Sequence, residues 1–211
     1  MASAPSTQTP RIYLTGFGPF AGIDDNPSAR VAETLDQTEV GGARVEAEVL
    51  PVSFERASAM LIKGYRRLEP ELAVHLGVAA RRRLVSIEDR AHNLMNATIP
   101  DVDGEQPQRQ AIDPGAPADV ALRSGVDVRW LTKRLVEGGL PARLSRDAGR
   151  YVCNRVYHQG LTLGALEDRP CRVVFVHLPV VGARHHLGAK PWTLERLCDA
   201  VRLVLEALQP T

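Results

Sequence analysis

Three residues far apart in the chain carry side chains suited to acyl transfer. Cys153 follows Gly149-Arg150-Tyr151-Val152 and precedes Asn154, where the chain is expected to turn into a helix. A thiol at a helix N-terminus faces the positive end of the macrodipole and unpaired N–H groups, and both favour the nucleophilic thiolate. His177 closes the apolar run Val173-Val174-Phe175-Val176, just before Leu178-Pro179. An imidazole within reach of a thiol can activate it as a base and later protonate a departing amine. Glu88 ends Leu84-Val85-Ser86-Ile87, and a carboxylate there can hold that imidazole in one tautomer. Each residue also has a plainer reading: a small buried hydrophobe for the cysteine, a satisfied core group for the histidine, a salt bridge such as one to Arg90 for the glutamate. Cys171 and Cys198 lie inside strand-like and helix-like apolar patterns and fit that plainer reading.

Other suggestive groups carry less. Gly16-Phe17-Gly18-Pro19-Phe20-Ala21-Gly22 has the look of a dinucleotide loop, but the helix starts only after Asn26-Pro27 and the next strand ends in Pro51-Val52 with no acidic residue. Two phenylalanines around a proline make a rigid apolar wall, better suited to a small uncharged ring; as plain core residues they would serve equally well. Arg81-Arg82-Arg83 is expected to be a solvated turn rather than a phosphate site. His185-His186 is a weak metal pair, because adjacent side chains diverge and no carboxylate is spaced to join them.

The elements that must position these residues follow from caps and periodicity. A strand at Arg11–Thr15 is expected to end at Gly16. Asn26-Pro27 supplies a cap and a first-turn proline for a helix to Leu35. Alternation at Val45, Ala47 and Val49 marks a strand, and Ser53 caps a helix reaching about Leu68. Leu72–Gly77 and Cys171–Leu178 read as strands buried on both faces, with Leu84–Glu88 another strand. Residues 93–125 carry four prolines and little periodicity, a long loop of the kind that is usually functional or partly disordered. A helix at Val128–Glu137, a strand at Ala142–Ser145 and a helix from Cys153 follow. The last helix is capped by Thr193, with Leu194, Leu197, Val201, Val204 and Leu208 at helical spacing. Strands alternating with helices predict an α/β domain: a mostly parallel twisted sheet with helices on both faces. Ligands in such sheets gather at the carboxyl ends of the strands, where Phe17, Glu88, Cys153 and His177 are expected.

The bulk numbers exclude several classes. The 211 residues suit one domain, here 11–211 after a disordered lead of residues 1–10. Lys plus Arg total 26 against 25 acidic residues, a net charge of +1, so no global pull toward nucleic acid or an anionic membrane is expected. Three cysteines without a CxxC pair argue against disulfide staples and a cysteine-rich zinc site, and favour a reducing compartment. With no apolar stretch near the N-terminus and none approaching the roughly 18 residues of a membrane span, a cytoplasmic location is expected.

Four fragments in order resemble one family, pyroglutamyl peptidase I, also called pyrrolidone carboxyl peptidase. Thr15-Gly16-Phe17-Gly18-Pro19-Phe20 with Asn26-Pro27-Ser28 resembles its opening signature, and Ile87-Glu88-Asp89-Arg90-Ala91-His92-Asn93 its glutamate segment. Val152-Cys153-Asn154 and Val176-His177-Leu178-Pro179 resemble its nucleophile and histidine segments, and the similarity runs from about Arg11 to Leu208. The resemblance implies a Glu88–Cys153–His177 triad that removes an N-terminal pyroglutamyl residue from peptides, on a three-layer α/β/α sandwich. It implies no cofactor or metal, and a homo-oligomer, commonly a tetramer. It further implies an apolar cage of Phe17, Phe20, Val52, Ile99, Tyr151 and Val152, with backbone groups near Val78 bonding the lactam. Three positions depart from the pattern. Thr98 stands where many members carry an arginine that aids the reacting carbonyl, Tyr151 where phenylalanine is usual, and Val52 where threonine is frequent. Arg90 and Arg150 are candidates to supply the missing charge. Two rivals are a non-catalytic binder of a pyroglutamate-like ligand on the same scaffold and a nucleotide-dependent enzyme using the glycine loop.

Overall fold

The computed structural model describes residues 10–168 and 170–209; the expected disordered lead, apart from Pro10, lies outside them. Nine strands and five helices follow one another among these residues: β1 (Arg11–Phe17), α1 (Pro27–Leu35), β2 (Glu39–Val40), β3 (Ala43–Leu50), α2 (Phe54–Leu68), β4 (Leu72–Val78), β5 (Val85–Glu88), β6 (Arg90–His92), β7 (Ala121–Arg123), α3 (Val128–Glu137), β8 (Ala142–Ser145), α4 (Val152–Gly164), β9 (Arg172–Leu178) and α5 (Leu194–Ala207). The helix starts obey the caps in the sequence. Asn26 accepts from the Ser28 N–H, Ser53 from Arg56 and Thr193 from Arg196, each satisfying a donor that the first turn leaves unpaired.

Seven strands form one sheet in the order β2-β3-β1-β4-β9-β5-β8. The pairs β3–β1, β1–β4, β4–β9 and β5–β8 are parallel, whereas β2 pairs with β3 and β5 with β9 antiparallel. β6, just before the segment that lacks periodicity, and β7, near its end, make a separate two-stranded ribbon. Side chains alternate across the sheet. Ile12, Leu14, Leu72, Val74, Leu76, Val85, Ile87, Val174 and Val176 point into a core closed by α1, α3 and α5. Tyr13, Ala73, Val173 and Phe175 point into a second core closed by α2 and α4. The result is a three-layer α/β/α sandwich with a mostly parallel sheet.

The same parity sends Gly77 of β4, Glu88 of β5 and His177 of β9 to the face covered by α4. One expectation needs correction. Glu88 does end its strand, but β5 runs against β9, so that end points away from the carboxyl edge where His177 lies. Ser86 is opposite His177 and Glu88 is opposite Phe175, two residues inside the sheet. Because diagonal neighbours in an antiparallel pair are within reach of long side chains, this reversal aims the carboxylate back at the imidazole.

The segment 93–120 is tied down by hydrogen bonds rather than left loose. Asn93 reaches the carbonyls of Asp113, Ala116 and Pro117, and Met95 exchanges backbone bonds with Gln110. The buried Asp101 carboxylate accepts from the Phe54 N–H at 2.8 Å, and the Val102 N–H donates to the Val52 carbonyl.

Candidate active site

Cys153 is the second residue of α4, whose cap position, Tyr151, makes no side-chain cap hydrogen bond. Its thiol rests on the sheet at Gly77: a Cβ placed on that glycine would lie 3.0 Å from Sγ and 2.9 Å from the Phe175 ring. Gly77 is directly paired with His177, so thiol and imidazole stand over adjacent strands. His177 Nδ1 lies 2.8 Å from Glu88 Oε1. An ionised carboxylate only accepts, so Nδ1 carries the hydrogen and Nε2 is left as the base nitrogen.

Glu88 is completely buried, and Arg82 also bonds its Oε1, Nη1 to oxygen at 2.5 Å. Burial pushes the Glu88 carboxyl up, but the hydrogen bond and charge of His177, with Ser145 and Arg82 adding to them, outweigh that and hold it below its ordinary value. The Cys153 thiol goes the other way. Burial, and then the Glu88 charge, push it up to about 12 against smaller opposing effects of its own N–H and of Arg82. Burial at the sulfur thus opposes the pull of the helix N-terminus toward thiolate.

The hydrogen bonds around these side chains are dense. Tyr157 of α4 donates to the Glu88 carbonyl at 2.8 Å. Asn154 accepts from the His92 N–H and donates to the carbonyls of His92 and Leu94, clamping the first turn of α4 to the start of the 93–120 segment. The opening motif is also explained. Gly16 passes so close to α1 that a Cβ would fall 2.1 Å from the Ser28 carbonyl oxygen. The Ser28 hydroxyl accepts from the Phe17 N–H, and Asn26 donates to the Gly18 carbonyl, fixing the loop that carries Phe20.

The expected cage is partly assembled. Phe20 and Tyr151 pack at 5.4 Å between centroids, and Phe54 meets Tyr151 edge-on at 5.2 Å. Phe54 was not anticipated, since its position as the first residue of a capped helix explains it without a ligand. Phe17, Val52 and Val152 are buried in the second core, Val152 completely, while Val78 is half-buried beside Leu178 at the strand end. Ile99 is 45% exposed, and the Tyr151 hydroxyl donates to the neighbouring Pro100 carbonyl at 3.0 Å. Thr98 is exposed. Neither expected substitute for the absent arginine is free: Arg90 pairs with Asp89 at 2.5 Å and Arg150 with Asp147 at 2.6 Å. Arg82 went unrecognised because it sits within a run of three arginines that suits a solvated turn.

Comparison with known proteins decides the family. The model of the family described as pyroglutamyl peptidase matches residues 10–209. The chain belongs to the pyroglutamyl peptidase family. The pyrrolidone-carboxylate peptidase of Gloeobacter violaceus is 38% identical over 201 residues, 94% of this chain and 97% of that one. That of Pyrococcus furiosus is 38% identical over 171 residues, 81% of each. The solved pyrrolidone carboxyl peptidase from Thermococcus litoralis superimposes with a TM-score of 0.85 at 34% identity, over 93% of this chain and 92% of that one. Membership of the pyroglutamyl peptidases favours a hydrolase over either the non-catalytic binder or the nucleotide enzyme. Among the described residues no helix is long and apolar enough to cross a membrane.

Proposed function

We propose that Cys153, His177 and Glu88 carry out the removal of N-terminal pyroglutamyl residues that this family membership assigns to the chain. The observation that carries the reading is the convergence of three elements: the α4 thiol over Gly77, His177 opposite it, and Glu88 bonded to Nδ1. Cys153 Sγ attacks the pyroglutamyl carbonyl while its proton passes to His177 Nε2. A C–S bond forms, and the tetrahedral intermediate collapses with cleavage of the C–N bond as His177 returns the proton to the departing amine. Water, deprotonated by His177, then displaces the sulfur to give free pyroglutamate and the thiol. Burial disfavours the charged sulfur, so the proton transfer accompanies attack. N–H groups of the first turn of α4, left without a side-chain cap, are suited to the developing oxyanion. Phe20, Tyr151 and Phe54 offer an aromatic wall to the uncharged ring, and the backbone at Val78 offers its lactam a polar contact.

The net charge of +1, the three unpaired cysteines and what the family resemblance implies support a cytoplasmic homo-oligomer that works without cofactor. Hydrolysis of a chromogenic pyroglutamyl amide tests the chemistry. Cys153→Ser is expected to abolish turnover while leaving the melting temperature unchanged; wild-type turnover in that variant would refute the assignment.

A further inference from the structure

We infer that Arg82 is a positioning residue for the peptidase reaction, holding the Glu88 carboxylate against His177 and tying it to the loop that enters the nucleophile helix. The inference rests on the reading of Glu88, His177 and Cys153 as the reacting set.

Arg82 follows β4 in a turn closed by its own N–H on the Ala79 carbonyl, and Ala79 in turn donates to the carbonyl of Leu178, the residue after His177. From this fixed base the side chain folds inward, 23% exposed, while its neighbours Arg81 and Arg83 face solvent. Its Nη1 donates to Glu88 Oε1, the oxygen that His177 also uses, and its Nη2 donates to the Asp147 carbonyl at 2.7 Å. Asp147 lies in the short connection between β8 and α4. One guanidinium thus joins the end of β4, the carboxylate on β5 and the approach to Cys153.

Two donors on one oxygen fix the rotation of the carboxylate, while the buried Oε2 has no hydrogen-bond partner among the described groups. A planar fork holds both contacts in one fixed geometry, which an ammonium, a point charge on a flexible stem, does not reproduce. A buried ion pair is weak evidence for stability, since taking both charges out of water opposes the gain from pairing them. Its placement on the oxygen that orients the imidazole points to a role in the reaction. The groups facing Glu88 are His177 from β9, Ser145 from β8, Arg82 from the turn after β4, and Cys153 and Tyr157 from α4, with Asp147 and Arg150 beyond Arg82. Arg82 is the arginine in this set that touches the carboxylate.

The test compares Arg82→Met with Arg82→Lys on a pyroglutamyl amide across pH, with thermal melting alongside. Arg82→Met is expected to lose about 10- to 100-fold in kcat, the range typical of residues supporting a reacting group. Its acid limb should move upward, because Glu88 then protonates at higher pH. Arg82→Lys should return the limb to its wild-type position but recover turnover only in part, having lost the Asp147 contact. A melting temperature lowered with the limb unmoved would make Arg82 merely structural and overturn the inference. If Arg82→Met does not fold, Arg82→Gln, a donor without charge, reads the same limb, and failure of both to fold also overturns it. Retained turnover in Cys153→Ser would instead refute the underlying reading, so the two failures are distinct.

Discussion

Gly77 and Cys153 occupy one space on the α4 face of the sheet: the thiol fills the volume that a side chain at residue 77 would need. Gly77→Ala is therefore expected to push Sγ or the Phe175 ring aside while leaving the sheet intact. A displacement of about 1 Å at a reacting atom can cost about 100-fold, so kcat/KM should fall at least tenfold. Steady-state kinetics together with a circular dichroism melt check this; an active Gly77→Ala enzyme would show that the thiol works from some other position.

The resting state of Cys153 makes a pH prediction. With the thiol pushed up to about 12, alkylation by iodoacetamide should accelerate throughout the range from pH 6 to 10 without a plateau. The raised value favours the protonated folded form. Its contribution to stability is thus complete below the ordinary thiol pKa and lost as pH rises toward the folded value. An alkylation rate already level at pH 7 would mean a thiolate–imidazolium pair at rest.

Glu88→Gln removes the acceptor that fixes the His177 tautomer. By analogy with amide replacement in a triad, kcat should drop about 10³- to 10⁴-fold. The carboxyl is held below its ordinary value, so its charged form stabilises the fold above the unfolded-state pKa, and that contribution is lost as pH falls through the folded value. Urea unfolding of wild type and Glu88→Gln should accordingly differ at pH 6 and converge at strongly acidic pH. Equal midpoints at both would contradict the charged, buried carboxylate.

Thr98 is exposed, and the two candidate cations, Arg90 and Arg150, are engaged elsewhere. Thr98→Arg is expected to raise kcat, with an upper bound of about 10²- to 10³-fold set by what one oxyanion donor contributes, and to leave KM nearly unchanged. Single-turnover kinetics with the amide substrate measures the effect; no gain would mean that the helix N–H groups already meet the need.

Much of the scaffold was legible because it rests on local chemistry. Asn26, Ser53 and Thr193 cap helices where their short polar side chains predict, and the apolar runs at 72–77 and 171–178 became central strands. The orientation of β5 was not legible. Val85-Ser86-Ile87-Glu88 is buried throughout, and the same pattern would suit either direction. The Glu88–His177 diagonal depends on that direction. β2, β6 and β7, two or three residues each, are too short for a periodic signal. Arg82 was hidden by its neighbours, and the state of the thiol by burial that only the packed cores reveal.

Asn154 has a consequence for how substrate enters. Through its three bonds to His92 and Leu94, the strand-poor segment beside the aromatic wall is anchored to the same helical turn that bears the sulfur. Nucleophile and rim thus travel as one body. Ordering of this segment therefore draws little from the affinity for an arriving ring.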